Sequence, residues 1–262
     1  MCGIAALLLH PQERSVQDWQ AIRGVFSANL QFNEERGREA TGVAIVQTDG
    51  QVSLLKQPLP ASRLVNTSQF LSLLEAVNSQ TMLLLGHTRL PTKGDPAFNL
   101  NNHPIQAGPV LGVHNGEVFN DDELFARFGF PRTAQVDSEI IFRLIESIDP
   151  ALSDEGYLES VRGRIDLLQG QFAFLAYDLR RPGRLLALRH RNPLCALFHP
   201  AWNALVFSSR YVFLRKTFGR ALAAEALNPD RLLVFDAASI PLLRLHPAAC
   251  LHMGHRVGLS TV

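Results

Sequence analysis

Apolar runs and helically spaced apolar residues alternate along the first part of the chain. Residues 2–9 form a short apolar run that is typical of a buried strand. Over Ser15–Phe32 the apolar positions recur at roughly helical spacing, which predicts a helix. The Asp-Gly pair at 49–50 separates the apolar runs Thr41–Gln47 and Gln51–Lys56, a pattern that favours a β-hairpin. We therefore expect a strand, a helix and a hairpin, in that order.

The middle of the chain alternates helices and strands around a long loop. Asn120, with Glu123 three residues later, has the spacing of a capping box and predicts the start of a helix. Residues 89–106 are rich in Pro, Gly and Asn and predict a long loop. The other elements expected here are a helix capped by Thr67, strands over Met82–Leu85 and Val110–Val113, and a helix over about 138–148.

After Gly170 the pattern changes to short apolar runs separated by turn residues, which predicts an antiparallel meander. A short helix from about Arg210 and a strand over Arg231–Phe235 follow, and the tail from about residue 246 shows no clear periodicity. This order lacks the regular alternation of strand and helix that builds a doubly wound sheet. We expect a single α+β domain over residues 1–262, with two antiparallel sheets packed face to face and covered by helices. The runs are Gln171–Tyr177, Arg184–Leu188, Leu194–Phe198 and Ala204–Phe207.

Composition narrows the class of protein. The 262 residues carry 25 Lys and Arg against 24 Asp and Glu, a formal net charge of +1, which argues against binding nucleic acid or anionic membrane by bulk charge. No apolar stretch approaches a membrane span, and the run at 2–9 has no basic leader, so we expect a cytoplasmic protein. Three widely separated cysteines exclude a disulfide scaffold, and the nine histidines form no His-x-x-x-His pair on a predicted helix. We expect no metal and no cofactor.

Cys2 is the first candidate for chemistry. Removal of Met1, which is common before a small residue, would leave a thiol and a free α-amine on one residue. The amine, whose ordinary pKa is about 7.7–8.0, can take the proton of the thiol and so activate it as a nucleophile. Taken alone, Cys2 is better explained as a small buried residue of the first strand.

Three further clusters carry polar groups. Arg89 ends the Gly86–Arg89 run after a buried strand, and its planar fork suits either a carboxylate or a structural ion pair. His114-Asn115-Gly116 follows another strand and offers either two donors for an oxyanion or a simple turn. Asp137 precedes a helix, where it could bind an ammonium or act as the N-cap. For each cluster alone, the structural alternative is the better interpretation.

Taken together, six ordered motifs resemble the class II glutamine amidotransferases, and in particular the glutaminase domain of glucosamine-6-phosphate synthase. The resemblance extends to about Phe235 and implies the N-terminal-nucleophile hydrolase fold, a four-layer α-β-β-α sandwich. The motifs are Cys2-Gly3-Ile4, Arg36-Gly37 with Thr41-Gly42, Gly86-His87-Thr88-Arg89, Asn102-His103-Pro104, His114-Asn115-Gly116 and Asp137-Ser138-Glu139.

The resemblance also implies a role for each matching residue. Cys2 is the implied nucleophile with its own amine as base, and Asn115 and Gly116 form the implied oxyanion hole. Arg89 would hold the α-carboxylate of glutamine and Asp137 its α-ammonium. Two loop residues complete the implied substrate site, Thr92 in the loop that closes over glutamine and His103 in a supporting role at the end of that loop.

The chain departs from the family in the loop after Arg89. Leu90 stands where an aromatic residue is frequent, and Lys93 stands where a histidine commonly follows the loop threonine. The family's synthases also carry an ammonia-consuming domain, for which no stretch after Leu245 is long enough.

We therefore expect a stand-alone glutaminase that releases glutamate and supplies ammonia to a separate synthase subunit. The alternatives are a hydrolase of another γ-glutamyl amide, or a non-catalytic interaction protein with the same fold. Retention of Met1 would produce the second alternative, because it blocks the amine.

Overall fold

The computed structural model describes residues 1–219 and 223–254, with strands and helices numbered here in chain order. Two sheets, each antiparallel throughout, pack face to face. The first sheet contains, in spatial order, β11 (Ala224–Ala226), β9 (Cys195–His199), β10 (Ala204–Ser208), β1 (Gly3–Leu9), β4 (Thr81–Arg89), β2 (Ala40–Gln47) and β3 (Val52–Gln57). The second contains β13 (Ala249–His252), β12 (Arg231–Asp236), β8 (Arg184–His190), β7 (Gly170–Asp178), β6 (Val110–Val118) and β5 (Ile105–Ala107).

Helices cover both outer faces of this pair of sheets. The helices packed on the first sheet are α1 (Val16–Asn33), α2 (Ala61–Leu64), α3 (Ser68–Glu75) and α7 (Tyr211–Phe218). Those packed on the second sheet are α4 (Asp121–Phe128), α5 (Glu139–Glu146) and α6 (Asp154–Ile165), and the short α8 (Ile240–Leu243) adjoins the core between the sheets. Within residues 1–219 and 223–254, no helix has the length and apolar character that crossing a membrane requires. The predicted four-layer α-β-β-α sandwich is confirmed.

The layer order explains why the central strands read as unbroken apolar runs. Along β1, Ile4, Ala6 and Leu8 point into the core between the sheets. Their neighbours Ala5, Leu7 and Leu9 point into the core beneath the helices. Because successive side chains of a strand face opposite ways, both sets of side chains of an inner strand such as β1 are buried, and the strand is apolar along its length.

Helix starts follow local capping chemistry in some places and tertiary contacts in others. The Thr67 side chain caps α3, as the sequence predicts, by accepting from the backbone N–H of Phe70. The Ser15 side chain caps α1 in the same way by accepting from Asp18 N–H. The predicted capping box at Asn120 is wrong. Its amide donates to the carbonyl of Leu167 and its side-chain oxygen accepts from Gln169 N–H, because the segment before β7 packs beside it.

The predicted meander is also wrong, because its four runs belong to two sheets. β7 pairs with β8 in the second sheet, whereas β9 pairs with β10 in the first. α6 and β13 were not among the predicted elements. The signal for α6 was present, since Ser153 caps it and apolar residues at helical spacing line its buried face, Tyr157, Leu158, Val161 and Ile165.

Candidate active site

Pairing between β1 and β4 brings the start of the chain beside Arg89. Gly3 lies opposite Thr88, and the Cys2 thiol lies 3.3 Å from the carbonyl oxygen and 3.4 Å from the nitrogen of Leu90. A Cβ atom at position 3 would lie 2.6 Å from the Thr88 hydroxyl and 2.7 Å from the Asn33 carbonyl oxygen, so only glycine fits there. The strand register therefore fixes the candidate nucleophile at the end of β4.

The surroundings of Cys2 keep its thiol in the neutral form. Burial raises the pKa of the thiol, and this effect outweighs the backbone contact with Leu90 and the positive charges of the N-terminus and Arg89, which lower it. A protonated thiol is a poor nucleophile, so this site needs a base. Arg36 fixes the backbone of the same residue by donating to the Cys2 carbonyl, while Met1 is exposed.

Asn115 and Gly116 lie inside a strand rather than in a turn. β6 continues to Val118, and residues 114–116 pair with residues 172–174 of β7, so the turn interpretation is wrong. The Asn115 amide donates to the Ser209 hydroxyl at 2.8 Å, and Ile4 N–H donates to the same hydroxyl at 2.7 Å. Ser209 therefore links the candidate oxyanion group to the strand that starts at the nucleophile.

Asn192 braces the same part of β6 and was not singled out from the sequence. Its amide donates to the carbonyls of Asn115 at 3.1 Å and Gln171 at 3.0 Å. Gly116 has φ of +124°, and a Cβ there would lie 1.9 Å from the Gln171 carbonyl oxygen and 2.3 Å from the Asn192 amide nitrogen. An Asn-Pro pair after a strand marks a turn, but sequence alone gives no partner for that asparagine.

Arg89 and Asp137 are both buried, and their charges act on Cys2 in opposite directions. One guanidinium nitrogen of Arg89 donates to the Asn102 side chain at 2.8 Å, and the other donates to the carbonyls of Lys93 at 2.6 Å and Gly94 at 2.8 Å. Asp137 accepts from Val118 N–H at 2.7 Å and does not cap α5, so the N-cap alternative is wrong. The structure thus brings Cys2, Arg89 and Asp137 together.

The two remaining predicted residues lie apart from each other. Thr92 is exposed on the segment 90–101, which we name the Arg89 loop. His103 is buried, and its ring centroid lies 4.1 Å from that of His87 and 6.3 Å from that of His114. His103 therefore supports the end of the loop from inside the protein, whereas Thr92 is open to solvent.

The three buried histidines form a neutral cluster that joins β4 to β6. His87 donates from Nε2 to the His114 carbonyl at 2.8 Å, and His114 Nδ1 lies 2.7 Å from the Ser138 hydroxyl, beside Asp137. Burial lowers the pKa of His87 to about 3 and also lowers the pKa values of His103 and His114. Among residues 1–219 and 223–254, no group of three or more His, Cys, Asp or Glu side chains is arranged to hold a metal ion.

In this α-β-β-α sandwich, a cysteine lies at the head of an inner strand, beside a buried arginine, and a second inner strand carries an Asn-Gly pair. This arrangement is the one expected of amidohydrolases that use an N-terminal cysteine as the nucleophile. Residues 87–216 match the glutamine amidotransferase domain family. These residues carry a glutamine amidotransferase domain, which confirms the class II resemblance seen in the sequence.

The similar proteins are larger than this chain. The isomerizing glutamine–fructose-6-phosphate aminotransferase of Vibrio cholerae is 28% identical over 255 residues, which cover 93% of this chain and 38% of that protein. The 7-cyano-7-deazaguanine synthase of Saccharolobus solfataricus is 24% identical over 80% of this chain and 43% of its own length. The structure of the B. subtilis glutamine phosphoribosylpyrophosphate amidotransferase with ADP and GMP shares the fold, with a TM-score of 0.68 and 17% identity over 90% of this chain and 47% of that one. The chain thus spans less than half the length of these relatives.

The histidine cluster predicts a loss of stability in mild acid. Unfolded histidine has a pKa near 6.5, so between that pH and about 3 the unfolded state binds a proton that folded His87 excludes. Stability therefore falls as the pH drops below about 6.5. His87→Gln can keep the donor to His114 without titrating, and urea unfolding at pH 7 and pH 5 should show a smaller loss for this variant, by about 2 kcal/mol.

The exposed His252 provides the control, and His252→Gln should retain the pH dependence of the unmodified protein. An unchanged pH dependence in His87→Gln would show that His87 is protonated in the folded protein.

Proposed function

We propose that this domain hydrolyses the side-chain amide of glutamine through a thioester on Cys2 once Met1 has been removed. The observation that carries the proposal is the position of the Cys2 thiol, in contact with the backbone of Leu90 and next to Arg89. A hydrogen-bonded path through Ser209 also connects β1 to Asn115. The products are glutamate and ammonia.

The reaction uses the two functional groups of Cys2 in turn. The α-amine takes the thiol proton, and the sulfur forms a bond to the amide carbon of glutamine. Asn115 and the N–H of Gly116 are the proposed donors to the resulting oxyanion. The carbon–nitrogen bond then breaks as the ammonium returns the proton to departing ammonia, and water cleaves the thioester with the amine again acting as base.

The free α-groups of glutamine are recognised by charge. Arg89 is the proposed partner of the α-carboxylate and Asp137 of the α-ammonium, and both are buried next to the nucleophile. Thr92 supplies a hydroxyl from the exposed side of the Arg89 loop, and His103 supports that loop from inside. A substrate lacking either charge would leave a buried charge without an opposite charge beside it, so glutamine is preferred over larger γ-glutamyl amides blocked at these groups.

We propose that a separate synthase subunit consumes the ammonia that this domain releases. The two relatives described above are named as an aminotransferase and a synthase, which supports a synthase as the acceptor of the ammonia. Ammonia is largely protonated at neutral pH, so direct delivery to an acceptor preserves its reactivity.

Cys2→Ala should abolish glutaminase activity while leaving the fold intact, because it removes the nucleophile. Cys2→Ser should retain little activity, because a hydroxyl is a weaker nucleophile than a thiolate. Hydroxylamine should trap γ-glutamyl hydroxamate from the unmodified protein and not from Cys2→Ala, and intact mass should show that active protein lacks Met1.

Cys250→Ala, which alters an exposed cysteine, is the matched control and should keep full activity. Substantial glutamine hydrolysis by folded Cys2→Ala would overturn the mechanism.

Arg89→Lys and Asn115→Ala should separate substrate binding from chemistry. The lysine keeps a positive charge but loses the planar fork, so it should chiefly raise KM for glutamine. Asn115→Ala removes the proposed oxyanion donor and should lower kcat by roughly 10²–10³-fold. Steady-state kinetics of both variants decide the assignment.

Ser209→Ala tests whether the Asn115 effect is only a loss of packing, since Ser209 accepts from Asn115 and is not placed next to substrate. It should lower kcat far less than Asn115→Ala does. Effects on kcat and KM opposite to those expected for Arg89 and Asn115 would show that their roles are exchanged.

The acceptor is tested by following nitrogen. Glutamine labelled with ¹⁵N in its side-chain amide is supplied with excess unlabelled ammonium and with purified synthases encoded beside this chain. Direct delivery should place mainly ¹⁵N in the product of the acceptor, and glutamine turnover should rise when that synthase is present. Complete dilution of the label with every candidate, together with unchanged turnover, would contradict the coupled function.

A further inference from the structure

The Arg89 loop rests directly on the residue proposed to bind glutamine. Arg89 donates to the carbonyls of Lys93 and Gly94, so the position of the guanidinium depends on where these two carbonyls lie. The Asn102 side chain, which also receives a bond from Arg89, donates to the Pro96 carbonyl at 2.8 Å. A shift of the loop would therefore move the substrate-binding group with it.

An ion-pair cluster holds this loop to the start of α4. The Lys93 ammonium lies 2.8 Å from the nearly buried carboxylate of Asp121 and 3.3 Å from the exposed carboxylate of Asp122. The Arg132 guanidinium forms ion pairs with the same two carboxylates, at 3.0 Å from Asp121 and 2.6 Å from Asp122. The four side chains form a closed set of two cations and two anions, which we name the α4 clasp.

The clasp joins two parts of the candidate site that are distant in sequence. α4 begins three residues after Val118, the end of the strand that carries Asn115 and Gly116. A second tie supports the loop, because Asn101 exchanges hydrogen bonds with Gln135, two residues before Asp137. The loop is thus fixed at both ends to the segment that carries the oxyanion donors and the proposed ammonium-binding residue.

Lys93 is the member of the clasp that belongs to the loop. Its backbone carbonyl contacts Arg89 and its side chain contacts Asp121, so a single residue links the guanidinium to α4. Arg132 still neutralises Asp121 if Lys93 is lost, but it provides no covalent connection to the loop. Loss of the Lys93 ammonium should therefore release the loop without leaving a buried carboxylate unpaired.

We propose that Lys93 is a positioning residue for glutamine binding, which holds the Arg89 loop closed within this chain before any partner docks. The proposal rests on the glutaminase function assigned above and adds a specific means by which the site is ordered. Loop closure then depends on an ion pair that salt can weaken, and a partner is not required to form the substrate site.

The central test compares Lys93→Met with Lys93→Arg. The methionine keeps the length and removes the charge, and should raise KM for glutamine roughly two- to fivefold with kcat changed less than about 1.5-fold. Arginine keeps the charge and should restore most of the affinity. In the unmodified protein 1 M salt should raise KM towards the Lys93→Met value, whereas salt should leave KM of Lys93→Met nearly unchanged.

A double-mutant cycle identifies the route of the effect. If Lys93 acts through Arg89, Lys93→Met should raise KM much less in an Arg89→Lys background than in the unmodified protein. Additive effects of the two substitutions would contradict this route. Arg162→Met, which removes an ion pair with Glu159 and Asp166 on α6, is the matched control and should leave KM unchanged.

Hydrogen exchange tests the clasp independently of catalysis. Peptides covering residues 90–101 should exchange faster in Lys93→Met than in the unmodified protein or Arg162→Met, with the rest of the chain unaffected. Unchanged exchange would overturn the clasp whether or not the protein hydrolyses glutamine. Faster exchange with an unchanged KM would show that the clasp orders the loop without positioning Arg89, and would also overturn the proposal.

Calorimetry with the Cys2→Ala variant separates failure of this proposal from failure of the proposed function. If the unmodified protein does not hydrolyse glutamine and the Cys2→Ala variant does not bind it, the glutaminase assignment is refuted, and the positioning role with it. If the Cys2→Ala variant and the double variant Cys2→Ala with Lys93→Met bind glutamine with equal affinity, only the role of Lys93 is refuted.

Discussion

The complete burial of β1 is the constraint on which the site depends. This strand lies between β10 and β4, so its backbone is paired on both edges, and its side chains are buried on both faces. A strand held in this way has one register, because a slip of one residue would exchange the two faces and break both ladders. The register puts Gly3 opposite Thr88 and therefore fixes Cys2 against Leu90. The reactive end of the chain is positioned by the central core of the protein rather than by a surface loop.

Buried polar groups then connect this strand to the rest of the site. Asn33, at the end of α1, donates to Ser208 at the end of β10, and its carbonyl accepts from Thr88 on β4. Ser209 receives hydrogen bonds from both Ile4 and Asn115. A buried polar group without a partner costs roughly 1–3 kcal/mol, so paired groups of this kind specify one arrangement of strands. Ser209 joins β1 of the first sheet to β6 of the second, and Asn33 joins α1 to two strands of the first sheet.

Two kinds of electrostatic environment lie on either side of Arg89. Inside the protein, His87, His103 and His114 are held neutral by burial and give the end of β6 a fixed position without adding charge. Towards the solvent, Lys93 and Arg132 with Asp121 and Asp122 attach the Arg89 loop to α4 by charge. Acid acts on the inner side, because burial keeps the histidines from taking up the protons that they bind when the protein unfolds. Salt acts on the outer side, because dissolved ions screen the exposed ion pairs. The site thus combines an interior fixed by buried groups with a loop held by ion pairs that salt can weaken.

Local sequence patterns were enough to predict the class of protein, the layer architecture and most element positions, since apolar periodicity and the six motifs are properties of short stretches of the chain. β1, α1 and the first hairpin were predicted closely. The motifs also marked Cys2, Arg89 and Asp137, which lie close enough for their charges to interact, and Asn115, which shares the Ser209 hydroxyl with Ile4 of β1. Contacts between distant parts of the chain place β8 and β9 in different sheets and direct the Asn120 side chain to the segment before β7. Similar contacts set Ser209 and Asn192 against Asn115. Each of these outcomes depends on a partner that lies 47 to 94 positions away or on which sheet a strand joins. Local patterns predict where a strand or helix forms, but the choice of partner is made by packing of the whole chain.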